Sequence, residues 1–192
     1  MTKAVEFDNV SIVFGDQPEK ALPLMDEGQS RPEIEAATGQ VLGVHDCSLS
    51  VDNGEILVLM GLSGSGKATL LRAVNGLNPM VRGTVNVHAE GWSCDIHESS
   101  AAELRRVRRE GVSMVFQQFG LLPWRTVRDN VALGLELSGV PKRERRERAE
   151  RPLELVGRSD WADSTVGALS SWLQERGGLA RALAPEARRR LG

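Results

Sequence analysis

A run of nine residues, Gly61-Leu62-Ser63-Gly64-Ser65-Gly66-Lys67-Ala68-Thr69, concentrates residue types that could do chemistry. It matches the phosphate-loop pattern G-x-x-x-x-G-K-[ST] at every fixed position except the last. Wrapping an anion in backbone N–H groups needs φ values and close approaches that a Cβ obstructs, and the glycines remove that obstacle. Lys67 adds a mobile positive charge, and a helix starting near it would aim further N–H donors at the same point. At Ala68 the pattern expects a hydroxyl that ligates Mg²⁺, and a methyl group cannot ligate a metal.

The elements around this loop make the pattern specific. The apolar run Ile56-Leu57-Val58-Leu59-Met60 precedes it and reads as a buried strand; Leu70-Leu71-Arg72-Ala73-Val74 follows it as a helix over 67–76. Val44 to Val51 alternates, and Asp52-Asn53-Gly54-Glu55 is a tight-turn sequence, so a hairpin is expected to deliver the chain to the loop through 56–60. Residues 4–14 read as a half-buried strand pair, or one strand bent at Asp8-Asn9. Residues 15–43, with Pro18, Pro23 and Pro32 around a short helical piece at Pro32–Ala37, read as a surface insertion. Thr84–Val87 and Val112–Phe116 are further strands, with a polar loop to Ser100 and a short basic helix at Ala101–Arg109. From Thr126, a plausible cap, the pattern is helical: Val127–Leu137, Lys142–Val156 and Ser170–Ala184.

Composition sets outer bounds. The 192 residues, 41% hydrophobic and 26% charged, suit a soluble globular protein. No apolar run reaches the roughly 18 residues of a membrane span, and no signal-peptide core is visible, so a cytosolic location is expected. Two cysteines, Cys47 and Cys94, are expected to be reduced, partly buried thiols. Cys94 with His97 has ligand-like spacing, but a structural zinc needs about four ligands, which leaves a loop reading. Net charge of −2 hides −8 in residues 1–100 and +6 in residues 101–192. The basic half holds its arginines among glutamates, and few aromatics are available for base stacking, so nucleic acid is not an expected partner.

Taken together, the phosphate loop, the strand at Val112–Phe116, Gln117 and the segment after Leu169 make the sequence resemble the ATP-binding subunit of an ABC transporter. Leu42–Leu49, Ile56–Leu71, Met114–Asn130 and Gly178–Leu183 make it resemble more closely the subfamily that imports quaternary amines such as choline and glycine betaine. The implied fold is α/β, a P-loop NTPase with a RecA-like core, an N-terminal antiparallel β-subdomain and a helical subdomain. Residues 1–125 would be the nucleotide-binding core with its insertion at 15–43, and 126–192 the helical subdomain.

By the same resemblance Phe14 stands where the family stacks an aromatic on adenine, although a plain core aromatic reads equally well. Gly61, Leu62, Ser63, Gly64, Ser65, Gly66, Lys67, Ala68 and Thr69 would cradle the triphosphate. Gln117 matches the glutamine that touches Mg²⁺ and the attacking water, against a bland reading as a polar strand end. Ser170 keeps the hydroxyl of the family signature, which faces the partner's nucleotide. The implied cofactors are ATP and Mg²⁺. The implied partners are membrane permease subunits and a second copy, with the chain peripheral at the inner face of the cell membrane.

Three departures are visible: Ala68; Ser171 and Trp172 where the signature has glycines; and, within these residues, no later strand ending in the Walker B acid and its catalytic glutamate. Leu22-Pro23-Leu24-Met25-Asp26-Glu27 imitates that strand, but Pro23 removes a ladder donor and the segment precedes the loop. The expectation is therefore a chain truncated before Walker B that binds nucleotide without hydrolysing it. A non-catalytic nucleotide-binding fragment and another P-loop phosphotransferase are the alternatives.

Overall fold

A computed structural model describes residues 2–116, 120–157, 159–185 and 189–191, the last three and Ser159 by backbone alone. The chain divides into two compact units, Met1–Val107 and Arg108–Gly192.

The first unit is built on an antiparallel sheet. Strand β1 (Lys3–Phe14) lies between β2 (Val41–Asp52) and β3 (Arg82–Ala89), with β4 (Trp92–Asp95) outside β3, giving the order β2-β1-β3-β4. Residues 4–14 thus form one strand with an irregularity at Asp8-Asn9. Asn9 has φ 50°, and the pairing with β2 shifts between Phe7 and Val10. Asn tolerates that left-handed conformation better than most residues, and the shift keeps Phe7, Val10 and Ile12 in the core. The polar loop expected after β3 contains β4, which pairs through Val87↔Cys94.

The insertion between β1 and β2 is ordered. It contains a 3₁₀ turn (Pro18–Ala21), helix α1 (Leu22–Asp26) and helix α2 (Arg31–Thr38). Arg31 and Pro32 take the first turn of α2. The Glu33 carboxylate accepts from the Ser30 N–H at 2.7 Å, which satisfies a donor just before the helix. Ile34, fully buried, joins Val13, Ala21, Met25 and Leu42 in a small core that ties the insertion to β1 and β2. Leu22–Glu27, the imitation of an acidic strand, is mostly helical, and Asp26 is clamped by Arg82 through two hydrogen bonds of 2.6 and 2.9 Å.

One sequence expectation is overturned here. Ile56–Met60 is no strand, and no strand pairs with it among the described residues; β2 takes β1 as its partner instead. The turn at 52–55 does form, with the Glu55 N–H donating to the Asp52 carbonyl at 3.2 Å. Beyond it Ile56, Val58 and Met60 are 90, 69 and 88% exposed. An apolar run without alternation suits a strand covered on both faces, and neither the flanking ladders nor the covering layers are met here. Helix α3 (Lys67–Ala73) follows, anchored by buried Leu70 and Ala73, and helix α4 (Ala101–Arg106) comes after β4.

The second unit is mainly helical. A short strand β5 (Val112–Met114) pairs in parallel with β6 (Arg189–Leu191). Helices α5 (Val127–Val131), α6 (Leu133–Leu137), α7 (Lys142–Leu155) and α8 (Ser171–Leu183) follow β5. Val127, Val131, Ala149, Leu153, Val166 and Ala180 are among the residues that fill their shared core. Thr126 caps α5 as expected, its hydroxyl accepting from the Asp129 N–H at 3.1 Å. No helix among the described residues is long and apolar enough to cross a membrane.

Candidate functional site

Gly66 ends the phosphate loop and caps α3 with φ 95°, and a Cβ there would lie 2.6 Å from the Gly43 carbonyl oxygen. Both the dihedral and the contact demand glycine, so loop and strand β2 touch backbone to backbone. Lys67, the first residue of α3, turns its ammonium back over the loop. Its Nζ donates to the carbonyls of Gly61 and Leu62 at 2.8 and 2.7 Å and meets Ser65 Oγ at 3.1 Å. These are neutral oxygens, so the charge at the centre of the loop is solvated but not cancelled. The Ser65 N–H donates across the loop to the Leu62 carbonyl at 3.2 Å, and Leu70 N–H to the Gly66 carbonyl at 2.8 Å starts the helix.

Phe14, the last residue of β1, lies beside this loop. A Cβ on Gly43 would meet Phe14 Cε2 at 2.8 Å and the Thr69 methyl at 3.2 Å, so ring, strand backbone and first helical turn converge on one glycine. Phe14 is 38% exposed; a ring that is neither buried nor free can offer one face to a planar ligand. The Thr69 carbonyl accepts from Asn78 Nδ2 at 3.0 Å, which steadies the first turn of α3. Gly61, Leu62, Ser63, Gly64, Ser65 and Ala68 are all exposed along the same loop.

Sequence position does not single out Arg31, yet it reaches the loop. From the first turn of α2 its Nη1 donates to the Gly64 carbonyl and its Nη2 to the Gly43 carbonyl, each at 3.1 Å. No local signal marks it, because the contact spans 33 residues of sequence.

These residues fit the phosphates of a nucleotide, since Gly61, Gly64 and Gly66 bend the loop through positive φ and the Lys67 charge lies within it. They do not supply a hydroxyl for Mg²⁺: Ala68 occupies that position, and no cluster of three or more His, Cys, Asp or Glu that could hold a metal exists among the described residues. Gln117, the other expected metal contact, lies outside the described residues.

In the second unit Ser170 is exposed at the N-cap of α8 in extended conformation. Trp172, 52% exposed, lies under the Arg176 guanidinium, whose carbon is 4.6 Å from the ring centroid. The indole therefore covers the first turns of α8 where the resembled signature has bare glycine backbone.

A glycine-built phosphate loop with its lysine, set beside an antiparallel sheet, defines an α/β protein of the P-loop class. The chain belongs to the ABC transporter family, whose profile matches residues 44–189. It is 45% identical over 184 residues to the glycine betaine/proline betaine transport system ATP-binding protein ProV of Escherichia coli (strain K12), covering 96% of this chain and 45% of that protein. It is 44% identical over 179 residues to the glycine betaine transport ATP-binding protein OpuAA of Bacillus subtilis (strain 168), covering 93% and 42%. The chain thus spans rather less than half the length of the curated relatives it matches. Among solved structures, the ATP-binding cassette MJ0796, dimeric in a post-hydrolysis state with ADP and Pi, is similar with a TM-score of 0.74 and 27% identity, over 95% of this chain and 70% of that one. The subfamily resemblance read from the sequence and the α/β P-loop fold both agree with these matches.

Proposed function

We propose that this chain is the ATP-binding component of an importer for quaternary amines, working with membrane permease subunits and a second nucleotide-binding copy at the inner face of the membrane. The observation that carries the reading is Lys67 folded into a loop whose closing glycine admits no Cβ, with Phe14 alongside. The names of the betaine-transport relatives support the substrate class, and the dimeric cassettes support the second copy. We assign nucleotide contact to residues 1–125 and permease contact to the helical segment from 126.

Binding here is the work of this chain's own groups. Loop N–H donors and Lys67 would hold the phosphates, Thr69 would lie next to the α-phosphate, and Phe14 would stack on the base. Mg²⁺ would supply neutralisation of the phosphate charge, but Ala68 offers no hydroxyl to hold it. Trp172 occupies space the resembled signature leaves to a partner's γ-phosphate. Asp26, in the stretch that imitates an acidic strand, is engaged by Arg82. We therefore infer that the chain binds nucleotide without turning it over.

Titration of the purified chain with a fluorescent ATP analogue, beside Lys67→Ala, tests the binding. Saturable binding that the variant loses is expected; no binding, or binding indifferent to Lys67, overturns it. Phosphate release should not exceed that of Lys67→Ala, even after Ala68→Ser, Ser171→Gly and Trp172→Gly are combined. Release above that control refutes the binding-only reading.

A further inference from the structure

We propose that Arg31 is a positioning residue of the phosphate loop, a staple by which the insertion fixes the 64–65 peptide with its N–H turned back into the loop. The guanidinium is planar and rigid, so its two terminal nitrogens can hold two acceptors at a fixed separation. Here the acceptors are the carbonyls of Gly64 and Gly43, each at 3.1 Å. In a planar trans peptide the N–H points opposite to the C=O. A Gly64 carbonyl held outward by Arg31 therefore sends the Ser65 N–H inward, where it meets the Leu62 carbonyl at 3.2 Å.

The second anchor, the Gly43 carbonyl, is the atom against which Gly66 packs without a Cβ, and Gly43 itself carries Phe14 and Thr69. One side chain thus ties loop, strand and aromatic together. Arg31 is held for this by its own helix: α2 is seated by fully buried Ile34 in the core with Val13, Met25 and Leu42. A glycine-rich loop has many conformations to lose when it closes on an anion, and a loop ordered in advance binds more tightly.

This rests on the nucleotide-binding reading, extending it to the groups that preform the site. The test compares the full chain with Arg31→Ala and Arg31→Lys by short-pulse hydrogen exchange without nucleotide and by ADP titration. Arg31→Ala is expected to speed exchange of the 61–66 amides several-fold while leaving 34–42 unchanged, and to weaken ADP about tenfold, the scale of losing one or two net hydrogen bonds. Arg31→Lys, keeping a donor but not the fork, should fall between. Unchanged loop exchange in Arg31→Ala overturns the proposal. So does a rise spread equally over 34–42, or an unfolded variant, because either makes Arg31 a support of the fold. If the unaltered chain binds no ADP, the functional reading falls, while the exchange comparison still decides whether the staple exists.

Discussion

At the scale of single residues, Ala68 and Lys67 divide the work that a complete phosphate loop would share. The lysine ammonium and the loop N–H groups act on phosphate charge and remain, whereas the hydroxyl that would recruit a divalent cation is gone. ATP affinity should accordingly depend little on Mg²⁺. Ala68→Ser should restore a several-fold gain on adding Mg²⁺, measured by titration with and without the metal. A large Mg²⁺-driven gain in the unaltered chain that the serine fails to increase would contradict this account.

Among the elements, the helical unit is held at its entry by one buried amide. Asn130, fully buried, accepts from the Leu122 N–H at 2.7 Å and donates to the carbonyls of Leu122 and Thr126, both at 3.0 Å. Cutting it to Ala leaves buried partners unsatisfied, which costs about 3 kcal/mol and should appear as early melting in urea or heat. A surface network supports the same region: Arg128 pairs with Glu150 and Asp163, joining α5, α7 and the loop before α8. The hydrogen bond and charge of Arg128 hold the Asp163 carboxyl below its ordinary value. A depressed carboxylate stabilises the fold above its unfolded value of about 3.9 and loses that contribution as pH falls further. Asp163 is exposed, so the effect stays under about 1 kcal/mol. Thermal midpoints measured between pH 6 and pH 3 should fall less steeply for Asp163→Asn than for the unaltered chain; parallel curves would remove Asp163 from the network's contribution.

On the scale of the whole molecule, the exposed run 56–60 is the largest conflict between sequence pattern and environment. Ile56, Val58 and Met60, with Leu62 adjoining, present apolar side chains, and the 56–60 backbone joins no strand ladder among the described residues. Such an edge recruits another chain. Purified protein should self-associate in a concentration-dependent way, and Ile56→Lys with Met60→Lys should shift it toward monomer on a sizing column with its far-ultraviolet spectrum intact. A chain that stays monomeric at high concentration would show that the run is harmless.

Local chemistry written in the chain determined the phosphate loop, the start of α3, the caps of α5 and the insertion helix, and the helical character of 142–156 and 171–183. Each depends on glycines, Ser/Thr caps or 3.6-residue spacing within a few positions. The sequence likewise marked Phe14 and Gly61–Thr69, and their neighbourhood was visible only as a resemblance. Tertiary structure alone decided that β2 pairs with β1 and not with 56–60, that β4 forms in a polar stretch, that Gly43 lies under Phe14 and Thr69, and that Arg31 reaches Gly64. The physical reason is common to all four. Strand pairing, close backbone approach and a guanidinium's two acceptors are long-range relations, and a residue's type does not say which distant backbone will come to lie beside it.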